Sequence, residues 1–203
     1  MALSKIDVAN MLTGATPVAN GGTGIASGTS GQFLKFTGST TLASTAVTQG
    51  ITEADMFVMA STYDSGSSGN KTFTNEFSRV ANDTPGRIGT GISLDTSNGK
   101  YTFGSTGVYL IILSLGANVG SGDNEAGFNL KVNGSEVNYL YVGASGGGTT
   151  SSKAATATFL LDVDSSGSSG DYVQIASHGD GVVYQGAANY HQCAITFLRI
   201  GDT

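Results

Sequence analysis

The sequence predicts an all-β, antiparallel sandwich preceded by an extended N-terminal arm. The chain of 203 residues contains 31 Gly and only 2 Pro and is rich in Ser and Thr, a composition that favours turns and strands over helix interiors. Short apolar runs separated by turn signals recur from residue 57 onward, whereas residues 13–50 carry only scattered apolar positions. The length suits one well-buried domain of about 150 residues and an appendage.

The first fifty residues are predicted to be the arm. Residues 2–12 place apolar side chains at helical spacing and could form a short helix that ends before Gly14. In residues 13–50 roughly half of the positions are Gly, Ser or Thr, so the segment cannot bury enough apolar surface to offset its own ordering entropy. Because flexible linkers rarely carry large apolar anchors, we expect the arm to be ordered against sister subunits or another protein; its anchors are Phe33, Leu34 and Phe36.

The second segment, residues 51–203, is predicted to be the head domain. Thr52 could cap a single helical turn at the boundary. Beyond it, eleven apolar runs are bounded by Gly, Asn-Gly or Ser-Gly signals, as expected for a β sandwich; they span residues 57–62, 72–80, 91–95, 100–104, 107–119, 127–134, 136–143, 155–163, 171–177, 181–185 and 193–200.

One run differs from the others because it is apolar on both faces. From Val108 to Leu115 only Ser114 is polar, which predicts a central strand buried on both sides, with one side against a partner. Elsewhere the period is two, as at Val173 and Ile175, which predicts strands with one buried and one wetter face.

Charge and cysteine content exclude several classes of protein. The net charge is −6 with 9 Lys plus Arg, so there is no cationic surface for nucleic acid or anionic lipid. No stretch approaches the roughly 18 apolar residues of a membrane span, so we expect no membrane insertion, and the N-terminus lacks a secretory signal pattern. Cys193 is the single cysteine, so the fold needs no intrachain disulfide and suits assembly in a reducing cytoplasm.

The order of motifs in the head resembles the globular domain shared by complement and tumour-necrosis-factor proteins (C1q/TNF-like). An Asn-Gly turn at Gly99, an aromatic strand, a Gly-Val-Tyr opening at Gly107 and a Gly-Asp-x-Val step at Asp171 occur in the family's order. The resemblance implies a ten-stranded antiparallel jelly roll that packs as a homotrimer. The stretches that carry it are residues 76–80, 92–103, 107–111, 157–161, 170–175 and 194–200.

Two stretches of the arm, residues 17–24 and 28–39, resemble segments of bacteriophage tail fibres. Together with the head, they imply a phage structural protein that is made in the host cytoplasm and resides on the virion surface. Its arm would bind another virion protein of the tail or the head. The head would then serve as a fibre or knob that binds a host-surface glycan or protein, or as a capsid decoration (cement) protein. A soluble carbohydrate-binding module is a further alternative.

Catalytic motifs in the chain are incomplete, so the protein is predicted to be non-enzymatic and to use no cofactor. Ser145 lies in a G-x-S-x-G pattern, but a flexible loop follows it where a nucleophile elbow requires a helix. Residues 66–72 look like a phosphate-binding loop, but Asn70 replaces the Gly required before Lys71.

Metal and ligand sites give two further sets of candidates. A calcium-binding helix-loop-helix motif is excluded because Val173 replaces the closing Glu, which leaves either a looser calcium site or plain acidic turns at Asp162, Asp164, Asp171 and Asp180. His191 and Cys193 would point to the same side of one strand, but a buried thiol and a hydrogen-bonded His explain them better than a metal does. Four tyrosines could contact a receptor or stack on sugars, or else pack in a core or subunit interface; they are Tyr139, Tyr141, Tyr184 and Tyr190.

Overall fold

Fifteen β-strands, all paired antiparallel, form the regular structure of the part of the chain that the computed structural model describes. No helix lies in the described ranges, which are residues 23, 25, 28–39, 41–46, 50–67, 69–80, 86–120, 125–143, 151–187 and 191–202. The chain divides into two units, Met1–Gly50 and Ile51–Thr203. The helix predicted for residues 2–12 falls outside the described residues.

The described part of the first unit contains a β-hairpin. Strand β1 (Phe33–Gly38) pairs with β2 (Thr41–Thr45), with an irregularity between Phe36 and Gly38. Leu34 and Phe36 point to one face of this hairpin and Phe33 to the other, because neighbouring residues of a strand alternate.

The second unit is a sandwich of a five-stranded and an eight-stranded sheet. The five-stranded sheet has the order β11-β10-β13-β8-β7; its strands are β7 (Ile92–Asp95), β8 (Lys100–Phe103), β10 (Glu125–Val132), β11 (Ser135–Gly143) and β13 (Tyr172–His178). The eight-stranded sheet has the order β4-β14-β9-β15-β3-β5, with β12 beside β9 and β6 beside β3. Its strands are β3 (Ala54–Met59), β4 (Ser61–Asp64), β5 (Phe77–Arg79), β6 (Arg87–Ile88), β9 (Gly107–Val119), β12 (Ser151–Val163), β14 (Val182–Ala187) and β15 (Ala194–Gly201).

Aromatic side chains join the two sheets into one core. The rings of Phe128 on β10 and Tyr184 on β14 stack with centroids 5.5 Å apart, and Phe57 on β3 meets Tyr101 on β8 edge-on at 5.2 Å. These pairs place large buried rings between facing sheets, which is the packing that the alternating apolar runs predict.

The ten strands of the predicted jelly roll are present, and three short strands extend the eight-stranded sheet. Strands β4, β5 and β6 have 4, 3 and 2 residues and flank β14 and β3. The turn devices are also confirmed, since Gly99 and Gly107 have φ of 74° and 137°, values that favour glycine. The carboxylate of Asp171 accepts the N–H groups of Asp164 and Ser165, both at 3.0 Å, and so stabilises its turn.

Two local predictions are wrong. The helical turn at Thr52 is replaced by strand β3, because residues 54–58 pair with β15 and this tertiary pairing overrides a local capping signal. His191 and Cys193 do not share a strand, since β15 begins only at Ala194. His191 is exposed, whereas Cys193 is buried with its thiol 3.1 Å from the Gly116 carbonyl oxygen.

Candidate functional site

The outward side of the eight-stranded sheet carries a continuous band of apolar side chains. In one row of the register Leu160, Leu110 and Leu198 lie side by side, followed by Ala54. Residues directly opposite on antiparallel strands project to the same side, so each row forms one surface. We call this surface the apolar face; it comprises Ala54, Met56, Val58, Val108, Leu110, Ile112, Leu160, Ala194 and Leu198.

The apolar face is exposed at Leu160, partly buried at most of its other residues, and buried at Val58 and Ala194. Leu160 is 68% exposed, and Leu110, Ile112 and Leu198 are only partly buried. Val58, Ala194 and the nearby Val80 form a small buried cluster separate from the main core, against which Met56 packs. Contiguous apolar surface of this kind is uncommon on monomeric proteins and marks interaction sites.

Strand β9 gives the face its two-sided character. Tyr109, Ile111 and Leu113 point inward and are fully buried, whereas Leu110 and Ile112 point outward and are only partly buried. The predicted double-sided burial of residues 108–115 is therefore met on the inward side, whereas the outward side is only partly buried within the single chain.

The surface becomes polar toward the C-terminal end of β9. Here Ser114, Gly116 and Asn118 replace the apolar residues, and Ser152 donates to Asn118 at 2.8 Å. They line a hollow of about 690 Å³. The outward side of the sheet is therefore apolar at one end of β9 and polar at the other.

A second apolar surface lies where the two sheets meet along β11 and β12. A groove of about 350 Å³ is lined by Val137 and Asn138 of β11 and by Thr158 and Leu160 of β12, among others. Val137 is 53% exposed. We call this surface the edge groove.

The predicted arm anchors are all on the hairpin and all exposed. Phe33, Leu34 and Phe36 are 57%, 53% and 63% exposed, and Leu42 lies opposite Phe36. An isolated two-stranded hairpin is marginally stable in water, so these side chains are suited to contact a partner.

The receptor-contact candidates separate into two environments. Tyr139 and Tyr141 are exposed on β11, at 49% and 58%. Tyr184 is fully buried and cannot contact a receptor. Its hydroxyl lies 2.8 Å from the carbonyl oxygens of Gly127 and His178, and burial raises the pKa of this group. Tyr190 lies outside the described residues.

The burial of Tyr184 could have been predicted from the sequence pattern around it. Val182 and Tyr184 share a face of a short strand, and an alternating apolar pair predicts an inward face. Tyr184 was instead named as a receptor-contact candidate because tyrosine is common at binding surfaces.

The calcium candidates do not form one site. Asp171 and Asp180 lie beyond opposite ends of β13, whose seven residues span about 23 Å at roughly 3.3 Å per residue. The side chain of Asn133 and the N–H groups of Ser165 and Asp164 hydrogen-bond to Asp171 and lower its pKa. Asp162 and Asp164 are exposed. Within the described ranges, no group of three or more His, Cys, Asp or Glu is arranged to hold a metal ion.

Sequence reasoning missed one buried ion pair. Asp55, which is 2% exposed, accepts both Nε and Nη2 of Arg79 at 2.8 Å and the N–H of Ile92 at 2.9 Å. The signal was an acidic residue at an inward position of β3, in alternation with Phe57 and Met59.

Ser145 falls outside the described residues. In the parts of the chain that are described, no helix has the length and hydropathy to cross a bilayer.

Comparison with known proteins supports the fold and leaves the family open. No protein-family model matches the chain, and no curated protein matches it. The Eiger tumour necrosis factor of S. frugiperda superposes with a TM-score of 0.52 at 12% identity, over 74% of this chain and 93% of that one. Murine APRIL at pH 8.5 superposes with a TM-score of 0.47 at 12% identity, over 73% and 98% of the two chains. The Eiger superposition shows that this chain has a TNF-like jelly-roll fold.

Proposed function

We propose that this chain is a non-enzymatic structural protein of a bacteriophage particle that assembles as a homotrimer. Residues 1–50 bind a virion protein of the tail or head, and residues 51–203 are presented to the host surface. The observation that carries the proposal is the apolar face, which remains partly exposed on a folded sheet and has the chemistry of a permanent subunit interface.

Two different surfaces of one chain favour a ring. The apolar face and the edge groove are both apolar, and Leu160 belongs to both. If the apolar face of one copy contacts the edge groove of the next, repetition of this contact generates a ring when the rotation closes. The number three follows from the resemblance to the complement and tumour-necrosis-factor domain.

The virion setting is supported by the arm. Residues 17–24 and 28–39 resemble tail-fibre segments. The hairpin, whose first strand lies within the second of these segments, exposes Phe33, Leu34 and Phe36, which is an arrangement suited to docking on another protein.

The oligomeric state tests the proposed homotrimer. We expect the full chain to have about three times its 20.5 kDa mass by light scattering. Ile112→Asp and Leu160→Asp should give folded monomers, because a carboxylate in a closed apolar interface is left without a partner. Ser93→Asp, at an exposed position of β7, is the matched control and should stay trimeric. A monomeric wild-type chain would sink the trimer.

The location of the chain on the particle tests the proposed role in the virion. Antibodies raised against residues 51–203 and coupled to gold should label purified phage particles in electron micrographs. Label at the tail indicates a fibre or knob, and label over the capsid indicates a decoration protein. Particles that contain the chain by mass spectrometry but take no surface label would overturn the proposed exposure of the head.

A further inference from the structure

Two exposed tyrosines and a histidine form a patch on the outward side of the five-stranded sheet. The register places Tyr141, Gly127 and His178 in one row across β11, β10 and β13, and Tyr139 beside Asn129 in the next. The His178 ring centroid lies 5.9 Å from that of Tyr139 and 6.2 Å from that of Tyr141. We call Tyr139, Tyr141 and His178 the tyrosine patch.

Glycine forms the floor of the patch. A Cβ on Gly127 would lie 2.3 Å from the Leu140 carbonyl oxygen and 2.8 Å from the Cβ of Tyr141, so no larger residue fits without movement. Gly127 therefore occupies the middle of the row between Tyr141 and His178 without a side chain of its own.

Polar groups surround the tyrosine patch. The Nε2 of His178 lies 2.8 Å from Glu125, and the Tyr139 hydroxyl donates to Glu136 at 2.9 Å. Asn129, 1% exposed, donates to Asn70 at 3.2 Å, but its own amide oxygen has no hydrogen-bond partner in the described structure. A buried acceptor without a donor costs about 1–3 kcal/mol.

We infer that the tyrosine patch binds a neutral pyranose glycan. The apolar C–H face of a sugar ring packs on the exposed faces of Tyr139 and Tyr141, whose rings are rigid and amphipathic. Sugar hydroxyl groups then exchange hydrogen bonds with Glu125, His178 and Glu136. The inference rests on the proposed host-surface role and names its ligand class.

The charges of the patch favour a neutral ligand. Glu125 is already paired with His178, and Glu136 lies 3.6 Å from Lys131. Lys131 offsets one of these two carboxylates, and the chain's net charge of −6 opposes an anionic ligand.

The patch and the apolar face lie on opposite sides of the sandwich, because each is the outward side of its own sheet. A trimer joined through the apolar face would therefore carry three copies of the patch. Weak single-site affinity would then be raised by multivalent attachment.

Saturation-transfer NMR tests the inference. The probes are methyl glycosides of glucose, galactose, mannose, N-acetylglucosamine and rhamnose, each at millimolar concentration. We expect transfer to at least one sugar and at least about tenfold weaker binding in Tyr139→Ala and Tyr141→Ala. Tyr172→Ala is the matched control, because that ring lies on the same sheet with Lys100 Nζ already 3.9 Å from its centroid.

The outcomes separate this inference from the trimer. Sugar binding retained by the monomeric Ile112→Asp variant supports the patch whatever the mass of the wild type. A trimer that shows no transfer to any of these glycosides overturns the patch alone. Transfer to phosphocholine with none to the glycosides would also overturn the neutral-glycan assignment.

Discussion

Asp55 is a charged residue buried among core side chains, where specific partners stabilise its carboxylate. It occupies an inward position of β3 that a core residue would otherwise fill, and its carboxylate contacts Arg79 on β5 and the Ile92 N–H on β7. The side chain of Asp55 is fully buried and that of Arg79 is 37% exposed, so the carboxylate depends on its partner more than the guanidinium does. The pair therefore connects the two sheets at this end of the sandwich.

Removing the cation should cost more than removing the pair. Arg79→Met leaves a buried carboxylate without its counter-ion, and we expect it to lower the free energy of unfolding by about 3 kcal/mol. The double variant Asp55→Leu, Arg79→Met should recover part of that loss. Urea unfolding of both proteins checks the prediction, and equal losses would contradict it.

Asp171 makes stability depend on pH. Its hydrogen bonds with Asn133, Ser165 and Asp164 lower its pKa in the folded chain. A group with a lowered pKa adds stability above its unfolded pKa of about 3.9, and this stability is lost as the pH falls through the folded pKa. Asp171→Asn should therefore be less stable than wild type at pH 7 and equally stable near pH 2. Denaturant titrations at both values measure this; a constant difference would rule it out.

At the scale of elements, Tyr184 links strands of both sheets. Its ring belongs to β14, while its hydroxyl meets the carbonyl oxygens of Gly127 at β10 and His178 at β13 and accepts the His178 N–H at 2.9 Å. The phenol thus satisfies backbone groups that the strand ladders leave free.

Deleting that hydroxyl should destabilise the sandwich without changing its shape. Tyr184→Phe leaves buried backbone groups without their partner, and we expect a loss of about 1–3 kcal/mol in the free energy of unfolding. Tyr141→Phe, at an exposed ring, is the control and should change the free energy little. A Tyr184→Phe protein as stable as wild type would show that water replaces the hydroxyl.

The strands could be predicted where the local pattern of apolar residues was sufficient to define them. The run at residues 107–119 coincides with β9, because its long and nearly unbroken apolar stretch favours a strand throughout. Strand β12 begins at Ser151, four residues before the predicted run, since Ser and Lys at its start are held there by pairing with β9. Such pairing is a tertiary effect that a local pattern cannot contain.

The sites were less predictable than the strands. The exposed rings of Tyr139 and Tyr141 were correctly proposed as surface residues, but their shared row with Gly127 and His178 depends on register between strands distant in sequence. The failure of Asp171 and Asp180 to converge has the same origin, because only the length and direction of β13 separate them.

At the scale of the whole molecule, the apolar face should couple folding to association. If copies cover this face, the folded state is stabilised by mass action. The thermal midpoint of the wild type should then rise by roughly 2–4 °C for each tenfold increase in protein concentration. Ile112→Asp should melt lower and without concentration dependence. Calorimetry at several concentrations tests this, and a constant wild-type midpoint would argue against obligate assembly.

The buried thiol of Cys193 has a practical consequence. It is the only cysteine in the chain, it is fully buried, and burial raises its pKa to about 11. Because the thiolate is the reactive form, maleimide reagents at neutral pH should leave the native protein unmodified. A cysteine introduced at an exposed position such as Ser93 would then carry the sole label on each chain. Spin-label distances or fluorophore bleaching steps could therefore count the copies in an assembly, with no native residue replaced beyond the labelled one.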